Sequence, residues 1–245
     1  MANHDTIHKI TTSSTYPKST LSTSPPSTPI ITSLLKTLHL EPHPEGGFFH
    51  QTDRATHLVP NPFLNDAPLP NASGDNPVNG DNKYRNASTT IHYYLTPGSP
   101  VGHFHRNRAR TVHTLHWGRG RYVVLHPDVD AKGDGSGARI ETFVVGTDVQ
   151  RGEVTQWIVE GDRFKASFLL EDANADPSSN GEGDGKGGSG SERGLLISET
   201  VVPGFEFCDH DFMTAEQMRE CIGVDGMKEL GWLLNRGERE KLGLE

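Results

Sequence analysis

Gly98-Ser-Pro-Val-Gly-His103-Phe-His105-Arg-Asn-Arg-Ala-Arg110-Thr-Val-His113 is the stretch on which the fold reading turns. It follows a run rich in β-branched and aromatic residues, Thr89–Thr96, and leads into another, Thr111–Trp117, after which Gly118-Arg-Gly120 supplies the next turn. The stretch therefore reads as strand. In a strand, residues i and i+2 point to one face. His103 and His105 are thus expected to aim into one cavity. Two convergent imidazoles can bind a metal, hold an anion or move a proton.

Further strands are expected at Arg121–His126, Arg139–Val145, Thr155–Val159, Phe164–Leu170 and Leu195–Val202, with another over residues 47–54. Seven or eight short strands with glycine turns predict an all-β fold, a closed barrel or jelly roll. No glycine-rich phosphate loop joins a strand to a helix, and no β–helix–β periodicity appears, which excludes Rossmann and TIM folds. Apolar residues at 30, 31, 34, 35 and 38 predict a short amphipathic helix, with Thr28-Pro29 as its start and Pro42 and Pro44 beyond its end. Thr214, followed by Gln217, opens a second helix to Ile222, and a third runs over about 225–234.

The expected organisation is a disordered arm over 1–28, one domain over 29–222 with flexible insertions at 60–85 and 172–192, and a C-terminal helical extension over 223–245. A net charge of −9 argues against a broad nucleic-acid surface. No apolar run is long enough to span a membrane, no signal core opens the chain, and Cys208 and Cys221 make no disulfide framework. A cytoplasmic protein with a small-molecule ligand and no nucleic-acid or membrane partner is expected.

His103 and His105 are the first candidates for chemistry. His113 can join them as a third nitrogen ligand. His92 and Tyr94 share a face of one strand, and a His–Tyr pair can serve as base and acid. Glu206 lies between two phenylalanines, a setting that raises a carboxyl pKa, or it pairs with an arginine. His50, Gln51, His92, Arg110, Gln156 and Lys165 are candidate ligand-binding groups. Arg110 favours an anionic substrate, and it opposes a nearby divalent cation unless an anion lies between them.

Pro44-Glu-Gly-Gly-Phe-Phe49, Thr89-Thr-Ile-His-Tyr-Tyr-Leu-Thr-Pro-Gly98, His103-Phe-His105 and Val202-Pro-Gly-Phe-Glu-Phe207 together resemble the cupin superfamily, and more narrowly its Cupin_5 (DUF985) family. The resemblance runs from about residue 32 to about 222. It implies a double-stranded β-helix, the cupin jelly roll, with short N- and C-terminal helices. It also implies a homodimer and a ligand cavity inside the barrel.

The general cupin pattern departs here in two places. Its first-motif glutamate falls on Ala109 or Arg110, and its second-motif histidine falls on Phe164. Two of the four usual metal ligands are missing from those positions, so no cofactor is favoured. The expected function is small-molecule binding, with metal-independent isomerase or epimerase chemistry on a small polar or anionic, sugar-like substrate. His103 or His105 would be the base and Tyr94 or Glu206 the acid. The alternatives are a non-catalytic metabolite-binding cupin, and a metal-dependent cupin enzyme that uses His103, His105 and His113 to hold a divalent ion.

Overall fold

The computed structural model describes residues 28–78, 80–130, 137–170 and 193–244. The arm over 1–27 and the insertion over 172–192 lie outside the described residues. The described chain opens with helix α1 (Pro29–Thr37), where the Thr28 hydroxyl accepts from the Ile31 N–H at 3.3 Å and proline occupies the first turn. Thirteen strands follow among the described residues: β1 (Glu41–Pro42), β2 (Phe48–Arg54), β3 (Leu58–Pro60), β4 (Tyr84–Asn86), β5 (Thr89–Leu95), β6 (Val101–Asn107), β7 (Arg110–Trp117), β8 (Gly120–Asp130), β9 (Ala138–Val145), β10 (Gln156–Val159), β11 (Phe164–Leu169), β12 (Leu195–Val202) and β13 (His210–Phe212). Helices α2 (Ala215–Leu230) and α3 (Arg236–Lys241) come last. None of the described helices is long and apolar enough to cross a membrane.

The strands sort into a six-stranded sheet, β1-β2-β5-β12-β7-β10, a five-stranded sheet, β13-β6-β11-β8-β9, and the small pair β3-β4. Among the described residues no sheet closes on itself. The expectation of an all-β, closed double-stranded β-helix is therefore corrected: this is a mixed α/β fold with three open sheets. The edges show why closure fails. β1 is two residues long, and its Pro42 has no N–H to give. β10 and β13 are four and three residues long. Across the β9 edge a single bridge forms among the described residues, Val145 with Val154. Strand spacing counts strands and faces but does not say whether edge strands find partners.

The helices act as layers. Between the two large sheets lies a core of Tyr93, Leu95, Tyr122, Val124, Trp157, Leu195, Ile197 and their neighbours. The opposite face of the five-stranded sheet, with Phe104, Val123, Leu125 and Ala166, is covered by Met213, Met218, Leu230, Leu233 and Leu234 of the C-terminal segment. On the outer face of the six-stranded sheet, Tyr94 and Leu196 pack with Ile31 of α1 and with Leu40. In α2 the capping box between Thr214 and Gln217 is formed, and Gly223 breaks the helix with φ 71° and ψ −178°. The region over 60–85 is closed at its base by the β3–β4 ladder, and it buries Leu69, Asn61 and Arg85.

Candidate metal centre

Pro44-Glu45-Gly46-Gly47 precedes β2 as a tight turn with two consecutive left-handed glycines, φ +97° at Gly46 and +69° at Gly47. A β-carbon on Gly46 would lie 2.0 Å from the carbonyl oxygen of Val101. The turn is thus pressed against β6. The His103 N–H donates to the Glu45 carbonyl at 2.7 Å, and the Tyr93 hydroxyl donates to the Gly46 carbonyl at 2.8 Å. Gly46→Ala is expected to cost more than about 2 kcal/mol, from left-handed strain plus the backbone clash. A urea melt reads it, and an unchanged midpoint would refute the packing described.

This turn delivers the Glu45 side chain to two histidines. His105 Nε2 lies 3.2 Å from Glu45 Oε2, and His210 Nε2 lies 2.9 Å from Glu45 Oε1. All three residues are buried, and their donor atoms lie within 4.8 Å of one another. The other nitrogen of each ring is held from behind. His105 Nδ1 donates to the His103 carbonyl at 2.8 Å, and His210 Nδ1 meets the Ser73 hydroxyl at 2.7 Å.

A carbonyl cannot donate, so His105 Nδ1 carries a proton and Nε2 is the nitrogen left to take a second proton or a metal ion. Burial pushes His105 down to about 3, with Lys165 and His210 adding to that and Glu45 opposing it. Burial also favours a neutral Glu45, but His105, His43 and His210 outweigh it and hold the carboxyl well below the usual range. His105 Nε2 and Glu45 Oε2 face each other at 3.2 Å, and either a shared proton or a cation between them satisfies both.

The two Glu45–histidine spacings, 2.9 and 3.2 Å, are those of hydrogen bonds and equally of neighbouring ligands on one ion. Ligands bound at 2.0–2.2 Å with angles of about 90–110° stand about 2.9–3.5 Å apart. Two imidazoles with fixed outer nitrogens and one carboxylate form a familiar donor set for zinc, manganese or iron, with positions left open.

Further contacts anchor His210. The neighbouring Asp209 takes two bonds from buried Arg85, Nε to Oδ2 at 2.6 Å and NH2 to Oδ1 at 3.1 Å. Asp211 takes two from Arg106, at 2.7 and 3.0 Å. Ser73 N–H donates to the His210 carbonyl at 2.8 Å.

A second buried polar set sits beyond the first. Lys165 Nζ lies 2.6 Å from Glu199 Oε2 and 2.9 Å from His113 Nε2. The His113 ring stacks on Trp157 at 4.9 Å. Trp157, Tyr122 and Phe143 make an aromatic layer, and Phe143 also lines a pocket of about 280 Å³ at the β9–β10 edge, with Arg139, Glu141 and Arg163.

The sequence-derived candidates divide accordingly. His105 is in the triad, and Lys165 and His113 are in the adjoining set. His103 does not share the face of His105. Lys165 is opposite His105, but Ser167 is opposite Gly102, so β6 carries one extra residue. That bulge breaks the alternation. His103 lies instead near Leu233 and Arg239, and burial first, then Arg239, brings it down to about 4. Among the described residues the donors that converge are Glu45, His105 and His210, and not the expected set of His103, His105 and His113.

Tyr94 faces α1, its hydroxyl donates to the Arg193 carbonyl, and burial raises it to about 12. It is Tyr93 that faces the interior. Glu206 is buried against Arg54 at 3.0 Å and accepts from the Val78 N–H at 2.8 Å. The acid–base pairing of His103 or His105 with Tyr94 or Glu206 is therefore not assembled.

His50 and His92 are cross-strand partners, and the His92 ring lies 5.5 Å from that of His116. His92 is lowered by burial, then by His116 and His50. Gln51 is exposed beside Arg54. Arg110 is exposed and pairs with Glu160 at 3.2 Å, and Gln156 reaches Thr114 at 3.4 Å.

Glu45 and His210 lie outside the spacing of one strand pair, so local periodicity does not group them with His105. The signal for Glu45 was the carboxylate directly before two glycines. The signal for His210 was a histidine between two aspartates, Asp209 and Asp211, each of which needs a buried partner.

The Cupin_5 family, described as Cupin superfamily (DUF985), matches residues 32–213. The chain belongs to this family. Its sequence is 38% identical over 210 residues to protein YML079W of Saccharomyces cerevisiae, covering 85% of this chain and 87% of the yeast protein. Among solved structures, a hypothetical protein from Leishmania major matches with 29% identity and a TM-score of 0.53, over 77% of this chain and 90% of that one. A protein from Shewanella oneidensis shares the fold, with 21% identity and a TM-score of 0.55, over 83% of this chain and 96% of that one. In this Cupin_5 chain the carboxylate of the buried cluster comes from the Pro44–Phe49 motif, ahead of the His103-Phe-His105 strand.

Proposed function

We propose that this Cupin_5 protein is a metal-dependent enzyme acting on a small polar molecule, its ion held by Glu45, His105 and His210. The observation that carries the reading is the convergence of three buried donors, Glu45, His105 and His210, within 4.8 Å of one another, with the outer nitrogen of each ring held by the chain. When bound, a divalent ion with three protein ligands and open positions supplies Lewis-acid polarisation of a substrate oxygen.

The chain's own residues do the rest. The His103 carbonyl and the Ser73 hydroxyl orient the two imidazoles. Arg85 and Arg106 hold the strand that carries His210. The layer of Tyr93, Tyr122 and Trp157 keeps water from the interior and strengthens electrostatic contacts there. The metal-independent isomerase reading loses support because its acid and base lie apart.

The test is elemental analysis of the purified protein, followed by calorimetric titration of the stripped protein with Mn²⁺ and Zn²⁺. About one ion per chain is expected, and loss of binding in both His105→Ala and His210→Ala. Binding that survives both substitutions, or no binding in the wild type, overturns the reading. An ion bound without turnover in hydrolase, oxygenase and isomerase screens would favour the metabolite-binding alternative.

A further inference from the structure

The outer face of the six-stranded sheet carries a row of histidines that the buried centre does not use. His50 on β2 is the register partner of His92 on β5, and Ser198 on β12 is the partner of His92 on its other side. β7 comes next. There Leu196 pairs with Trp117 and Ile197 with Leu115, which leaves His116 as an extra residue. Such a bulge re-aims a side chain. The His116 ring meets the His92 ring edge to face, with centroids 5.5 Å apart. β12 runs between these two strands, and the small side chain of Ser198 leaves the space in which the rings approach. At the other end of the row His39 follows α1 with φ +53°, a conformation that favours glycine, and its ring lies 5.9 Å from that of His50.

None of these four imidazoles makes a hydrogen bond or an ion pair among the described residues, whereas His105, His126 and His210 each face a carboxylate. Their donor atoms stand wider apart than those of Glu45, His105 and His210. His116 is exposed and His50 and His92 are half-buried, so turns about the side-chain bonds can close that gap. A set of imidazoles without carboxylates suits copper, nickel or zinc and not magnesium, calcium or manganese, and Cu²⁺ heads the order of affinity. We propose that His92 and His116 hold a Cu²⁺ ion on the outer face of this sheet, with His50 supplying a third nitrogen from β2. The site is separate from the buried Glu45 set and does not depend on it.

Titration of the full chain with Cu²⁺, followed by calorimetry and by electron paramagnetic resonance, tests it. Every protein in the series carries His4→Ala, because a histidine beside a free chain end takes copper together with backbone nitrogens. The parent is expected to bind Cu²⁺ with a signal that couples to imidazole nitrogen. His92→Ala and His116→Ala should each remove that signal and weaken copper by more than about tenfold, the least that losing even a supporting group of a metal ligand commonly costs. His50→Ala should weaken it less and lower the number of coupled nitrogens. Mn²⁺ uptake should be equal in all of them, since imidazoles alone do not favour that ion.

His57→Ala removes an exposed histidine outside the row and is the control for adventitious copper. A loss there equal to the loss in His92→Ala overturns the proposal. So does a parent that binds no Cu²⁺. Copper held by the Glu45 set would survive both His92→Ala and His116→Ala, which overturns this inference and leaves the metal reading intact. The row side chains make no hydrogen bonds, so the variants should melt with the parent; one that loses manganese along with copper shows the row acting through the buried set and overturns the proposal.

Discussion

Glu45→Gln is expected to abolish metal-linked stabilisation and to cost the metal-free protein some stability. The substitution keeps size and shape and removes the anionic ligand of the set. Metal affinity should fall at least about 100-fold, since even groups that only orient a ligand are commonly worth about 10–100-fold. An ion present at about 100 times its dissociation constant stabilises the wild type by about 2.7 kcal/mol. For a chain of this length that is a rise of about 5–11 °C in Tm.

The variant should show almost none of that rise. Its stripped form loses stability too, because His105, His43 and His210 favour the ionised carboxylate of the wild type. Thermal melts with chelator and with Mn²⁺, on both proteins, give all four values. An equal metal-induced rise in variant and wild type would remove Glu45 from the ligand set.

Arg85→Met should be the most destabilising single change outside the triad. The guanidinium is 1% exposed, and it makes two bonds to Asp209 and one to the Tyr84 carbonyl at 3.0 Å. Removing it leaves a buried carboxylate without its cation, a loss of about 3–5 kcal/mol. The expected fall in Tm is about 6–20 °C. Because Asp209 adjoins His210, metal affinity should fall as well.

The double variant Arg85→Met with Asp209→Leu separates the causes. Most of the stability should return, because no lone charge stays buried. The metal affinity should recover less, because His210 has lost a tether on its segment. A single variant that melts within a degree or two of wild type would show that the pair is dispensable.

Several features were legible before the fold was known. The helix start at Thr28-Pro29 and the capping box at Thr214 and Gln217 follow from local hydrogen bonding, which sequence neighbours decide among themselves. Membership of the Cupin_5 family was readable from the motifs at Pro44–Phe49, Thr89–Gly98 and Val202–Phe207. The alternation in β5 correctly grouped His92 with Tyr94, and Ile91 with Tyr93 and Leu95. It did not say which group looks inward. That was decided when β5 paired with β2 and β12, placing Tyr93 in the inter-sheet core and Tyr94 against α1.

The sequence by itself determined the local elements, the family, and the presence of chemistry-bearing histidines in a strand. Those depend on contacts a few residues apart or on motif identity. Only the tertiary structure decided that the sheets stay open, because edge pairing is a long-range property. It alone turned His103 away through a bulge that no periodicity announces. And it alone joined Glu45, His105 and His210, residues from a turn, a central strand and an edge strand. Their donor atoms converge because backbone hydrogen bonds clamp the turn and the edge strand onto β6.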